Sequence, residues 1–304
     1  MPDVVRLGTR TTPLALWQAE HVAACLKAAT PTLEVRLVPF VTEGDRRLTR
    51  PLPEIGGKGV FTAELEAALR TNEIDIAVHS LKDLPVAQPE GLTLGAILRR
   101  ADVRDAWCCP AGTPLSDLPP GAVVGTSSLR RRAQLQARRP DLAFQPIRGS
   151  IGTRLNKVRE GAYDATVLAL AGLQRLGLEG AATEVFDLDT MLPAPGQAAL
   201  AVQCCEGGDM IELLQGIDDS ATRRATTAER MFLQALGGGC SAPIAAYAHL
   251  QETALYLHAA VFTTDGDRRV AVRTSGADAE ALGHAAAEQA IENGALDLLL
   301  PVQP

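Results

Sequence analysis

The chain has 304 residues, 46% of them apolar, and 29 basic against 36 acidic side chains for a net charge of -7. That is enough apolar material for two or three domains with their own cores, and no apolar run reaches membrane-spanning length. The acidic balance and few aromatics make a poor general nucleic-acid binder, and six cysteines without a CxxC pair signal neither a metal site nor a disulfide framework.

The opening MPDVVRLGTR alternates like a strand and lacks the basic start and apolar run of a secretory signal, so the expected location is the cytoplasm. Strand-like VVRLGTR is followed by the helical pattern PLALWQAEHVAACLKAA, strand EVRLVPFV, helix VFTAELEAALRTN and strand DIAVHSL. This alternation predicts βαβ units around a mostly parallel sheet. Between the second strand and the second helix, TEGDRRLTRPLPEIGGKGVF, from Thr42 to Phe61, reads equally as a polar lid around Lys58 or as an ordinary surface loop. After LTLGAILRR the run ADVRDAWCCPAGTPLSDLPPG is rich in Pro, Gly and Asp and marks a boundary near residue 100. A second series begins at AVVGTSS and continues through LAFQPIRG and ATVLALAGL. AALAVQCC near residue 200 reads as a strand, and whether it crosses back to the first domain is left open by periodicity. From about residue 220 the order becomes one helix, three strands and a last helix, a small α+β domain. The expected domains are residues 1–99 with 200–217, 100–199, and 218–304.

GTRTTPLA at Gly8, GTSSLRRR at Gly125 and RGSIGTRL at Arg148 each stand where a predicted strand runs into a predicted helix. Thr11 or Thr12, Ser127 and Ser150 are the expected helix caps, with Pro13 in the first turn of the first helix. Free amides and the positive dipole end of such helices bind anions, and ligands of open α/β sheets gather beyond the carboxyl ends of the strands. Two such domains would present these junctions across one cleft. From Gly125 to Arg159 there are eight Arg and Lys157 against one acid, Asp141. Arg10, Arg130, Arg131, Arg148 and Arg154 lie at helix starts, where the dipole disfavours cations, so a buried arginine there needs an anion. Arg138 and Arg139, at a helix end, read as structural. HSLKDLP places Lys82 and Asp83 at the same edge, whereas His79 is expected to pack internally. LGGGCSAPIAAY leaves Cys240 on an accessible loop after a helix end.

In this order, TRTTPLALWQA, GGKGVF, DIAVHSLKDLP, GTSSLRRRAQL, RGSIGTRL, LAGLQRLGL, LPAPGQ and GGGCSAP closely resemble the porphobilinogen deaminase family, from about Arg6 to Gly294. The resemblance implies two similar α/β domains, like a periplasmic binding protein, and a small third domain. It implies a dipyrromethane cofactor joined by a thioether to Cys240 and extended by four porphobilinogen units with loss of ammonia, Asp83 being the catalytic group. It further implies cofactor contacts from Lys82, Asp83, Thr126, Ser127, Ser128, Arg130, Arg131, Arg148 and Ser150. Substrate contacts fall to Arg10, Thr12, Lys58, Phe61, Arg148, Arg154, Arg175 and Gln197. The growing polycarboxylate explains the arginines, and a monomer binding neither nucleic acid nor membrane is the family-like expectation. Thr12, Ser150, Ala198 and Gly237 depart from the family's usual Ser, Asn, Gly and acid or amide. The rival readings are a binding protein of the same architecture, which would hold a polyanion without chemistry, and RNA binding through the arginines.

Overall fold

The computed structural model describes residues 2–46, 62–239 and 242–299. Two compact units emerge, one formed by the chain up to Ala101 with Ala198–Arg223, the other by Asp102–Gln197 with the chain from Arg224 onward.

The first unit is a five-stranded sheet of order β2-β1-β3-β10-β4. Its strands are β1 (Val4–Arg10), β2 (Glu34–Phe40), β3 (Ile76–Ser80), β4 (Leu92–Ile97) and β10 (Leu200–Cys205). β1 pairs in parallel with β2 and β3, and β10 runs antiparallel between β3 and β4, as expected for a strand that returns from later in the chain. Helix α1 (Pro13–Ala29) packs Ala19, Val22 and Leu26 on one face. Helix α2 (Ala63–Arg70) packs Leu65, Ala68 and Leu69 with Ile74 and Ala77 in a separate cluster. Gly8 lets these side chains lie close against β1, since a Cβ there would lie 2.3 Å from Ile74 Cδ1 and displace it.

The second unit repeats the plan in a sheet of order β7-β6-β8-β5-β9. It comprises β5 (Asp105–Cys108), β6 (Val123–Gly125), β7 (Ala143–Gln145), β8 (Ala165–Ala169) and β9 (Glu184–Val185). β6 is parallel to β7 and β8, and β5 is antiparallel to β8 and β9. The run read as marking a boundary also contains an inner strand not predicted from the sequence: all four residues of β5 are buried, so it shows no alternation. Helices α3 (Leu129–Gln136), α4 (Ile151–Arg159) and α5 (Leu170–Arg175) follow the three parallel strands. In the same unit, β11 (Ile244–Gln251), β12 (Ala254–Phe262) and β13 (Arg269–Gly276) form an antiparallel sheet. Helix α6 (Met210–Gln215) lies in the first unit, α7 (Ser220–Ala235) begins there, and α8 (Ala279–Glu292) is followed by one more short helix, α9 (Ala295–Leu299), beyond the expected last one. Ala245, Ala260 and Phe262 of the small sheet pack on Ala133 of α3 and on Leu192. Buried Glu229 accepts from the backbone amides of Gly196 and Ala248 at 2.7 Å each. The small sheet is thus seated on the helix that follows β6.

Candidate active site

In the first unit, β1 ends at Arg10 and α1 begins after Thr12, whose hydroxyl accepts from Ala15 N at 3.4 Å. β3, parallel to β1, delivers a 3-10 turn, Leu81–Asp83, at the same edge. Arg10 and Asp83 consequently line one recess, with Gln18, Thr62, His79 and Ser80 in its wall. Its cavity of about 30 Å³ has room for one water-sized group, so it is a notch that could seat part of a ligand. Gln18 Nε2 donates to Ser80 Oγ at 2.9 Å. Asp83 is exposed and Lys82 half-buried. His79 packs internally as expected, and desolvation pushes its imidazole down to about 4, with Gln203 beside it offsetting only part. Neither His79 Nε2 nor Gln203 Oε1 makes a hydrogen bond of good geometry among the described residues. Thr62 Oγ1 is likewise buried and without a partner among them.

In the second unit, α3 is capped by Ser128, one residue beyond the expected Ser127: its Oγ accepts from Arg131 N at 3.4 Å. Ser127 instead donates to Ile147 O at 2.9 Å, and Thr126 Oγ1 accepts from Ser128 N at 3.2 Å. Arg130 and Arg131, in the first turn, are almost wholly buried and share one fully buried carboxylate, Asp105 at the start of β5. Arg130 Nη2 reaches Asp105 Oδ2 at 2.8 Å and Arg131 Nη2 reaches Oδ1 at 2.7 Å. Gln197 Nε2 adds a bond to Oδ1 at 2.9 Å and another to Val103 O at 2.7 Å. An anion beside these buried arginines was expected, but an internal one was not. Burial lowers the Arg130 pKa and Asp105 works against that shift.

Ser150 caps α4, accepting from Thr153 N at 3.2 Å. Arg154, in the first turn, donates from Nε to Gly149 O at 2.9 Å, and half-buried Arg148 offers its carbonyl to Lys157 Nζ at 3.1 Å. Arg175 closes α5, where desolvation pushes its guanidinium down to about 10. Arg138 and Arg139 have structural partners: Arg138 donates to Asp189 O, and Arg139 pairs with Asp141 while donating to Leu115 O. Lys58, Phe61 and Cys240 lie outside the described residues.

Solved structures similar to the chain include the VFT2 domain of BvgS from Bordetella pertussis, 17% identical over 71% of this chain and 86% of that one, with a TM-score of 0.45. The methionine-binding protein MetQ is 13% identical over 72% and 92%, with a TM-score of 0.45. The effector-binding domain of BenM with benzoate is 14% identical over 70% and 90%, with a TM-score of 0.43. Residues 5–212 match the family model described as "Porphobilinogen deaminase, dipyromethane cofactor binding domain", and residues 224–292 match "Porphobilinogen deaminase, C-terminal domain". The two matches span most of the chain, which therefore belongs to the porphobilinogen deaminase family: it is a transferase of tetrapyrrole biosynthesis that polymerises porphobilinogen and takes a dipyrromethane cofactor.

Proposed function

We propose that the chain makes hydroxymethylbilane with Asp83 as its catalytic group, Cys240 as the point of attachment, and the arginines of the strand-to-helix junctions as holders of carboxylates. The observation that carries this reading is the meeting of Arg10 and Asp83 in one recess, a cation for a carboxylate beside an anion for a developing positive charge. When bound, the dipyrromethane would supply one free pyrrole α-carbon for the first incoming ring, each later ring joining the end of the chain so started. Its fit is supported by Arg131 Nε, a buried guanidinium donor with no partner among the described residues. Desolvated Arg175 supports it too, because a charge held at that cost gains most from an anion.

Every porphobilinogen brings an acetate and a propionate. Arg10, Arg148, Arg154 and Arg175 bind these groups, with Lys82, Arg130 and Arg131 serving the cofactor and each charge-assisted bond contributing about 1.5 to 3 kcal/mol. Thr12, Thr126, Ser127, Ser128 and Ser150 supply hydroxyls at the helix starts, and Lys58 and Phe61 complete the substrate contacts; Gln197, expected among them, is instead fully buried with its amide on Asp105 and Val103. Asp83 stabilises the cation left when ammonia departs from the substrate and accepts the proton released when the new carbon–carbon bond forms. The work divides among residues 1–99 with 200–217, 100–199 and 218–304. A monomer in the cytoplasm is part of this reading, and the free thiols of Cys25, Cys108, Cys109, Cys204 and Cys205 accord with a reducing compartment.

Intact-mass measurement tests it. The purified chain is expected to be heavier than its sequence by two linked pyrrole units, and Cys240→Ser to abolish the increment. Asp83→Ala should keep the increment and lose about a hundredfold or more in turnover. A wild-type chain without added mass, or an increment that survives in Cys240→Ser, overturns the tethered-primer reading; normal turnover in Asp83→Ala removes that residue from the chemistry.

A further inference from the structure

We infer that Asp105 is the positioning residue that aims Arg130 and Arg131 at a carboxylate of the oligopyrrole; the inference rests on the cofactor-binding role proposed for these arginines. Asp105 opens β5, and because β5 runs antiparallel to β8 its first residue pairs with Ala169, at the carboxyl end of β8. This is the edge from which the junctions after the parallel strands emerge, so a carboxylate anchored in the sheet stands below the start of α3.

Consecutive helical residues project about 100° apart, and two guanidiniums side by side in a dry site repel each other. Asp105 resolves both difficulties by giving one oxygen to each. The remaining Nη1 groups are tied to backbone carbonyls, Arg130 to Leu192 O at 2.6 Å and Arg131 to Val167 O at 3.0 Å. Gln197 holds the carboxylate from the other side. With two cations and one anion the cluster keeps a net positive charge, to which the amino end of α3 adds. Arg131 Nε is the buried donor left without a partner among the described residues. Asp105 thus keeps both arginines buried and oriented before a ligand carboxylate is bound.

Asp105→Asn preserves shape and removes the charge. In this variant the fraction of purified protein carrying the added mass is expected to fall at least about fivefold. In the loaded fraction, KM for porphobilinogen should rise about tenfold, the loss of one well-aimed charged hydrogen bond, while kcat per loaded molecule changes less than about threefold. Asp105→Glu retains the charge but displaces it by one methylene, and is expected to raise KM similarly; it decides the matter alone if Asp105→Asn does not fold by circular dichroism. A lowered melting temperature with KM within about twofold of wild type overturns the assignment, since stability would then be all that Asp105 supplies. Wild-type chain without added mass would instead overturn the tethered-primer reading, so the two failures are distinguishable.

Discussion

His79 is held at the end of β3, just before the turn that carries Asp83, and its burial makes it a proton-linked element of stability. An unfolded chain takes up a proton on this ring near 6.5, while the folded chain resists until about 4. Between these values the unfolded state binds more protons, so stability rises with pH and is lost as pH falls from 6.5 towards 4. His79→Gln removes this dependence. On going from pH 7 to pH 5, wild type should lose about 2 kcal/mol more than the variant, measured from denaturant midpoints. Equal losses would show that the ring is protonated in place. Residues such as Arg10 and Asp83 were legible in the sequence because a strand end, glycine, hydroxyls and charge sit close together along the chain. Asp105 was not: its partners Arg130, Arg131 and Gln197 are 25, 26 and 92 positions away.

At the scale of elements, α3 depends on the hairpin between β12 and β13. Gly266, in that hairpin, has φ of 81° and approaches the helix so closely that an added Cβ would lie 2.2 Å from Ala133 O and 3.0 Å from Ala137 N. Both are backbone atoms and cannot rotate aside. Gly266→Ala is expected to cost about 2 to 4 kcal/mol through the left-handed backbone and the collision together, read as a lower melting temperature. A stability within about 0.5 kcal/mol of wild type would show that the hairpin can lift off the helix without cost. The long elements were readable because periodicity and caps agree: α1 spans the predicted PLALWQAEHVAACLKAA, with Pro13 first and Thr12 before it. β5 was hidden because it is short and buried throughout, and the choice between Ser127 and Ser128 as cap turns on a single backbone angle that composition does not specify.

Across the whole molecule the chain leaves the first unit after Ala101, returns at Ala198 and leaves again after Arg223. The returning strand was legible as AALAVQCC. Its place between β3 and β4 is a tertiary choice, set by pairings such as Val202 with Val78 and with Ala96. That central place has a consequence for synthesis on the ribosome. The amino-terminal sheet lacks its inner strand until residue 205 has been translated, by which time every strand of the next sheet, from Asp105 to Val185, has already been made. The unit begun first is therefore completed later, and β3 and β4 must wait as open edges while their neighbour emerges.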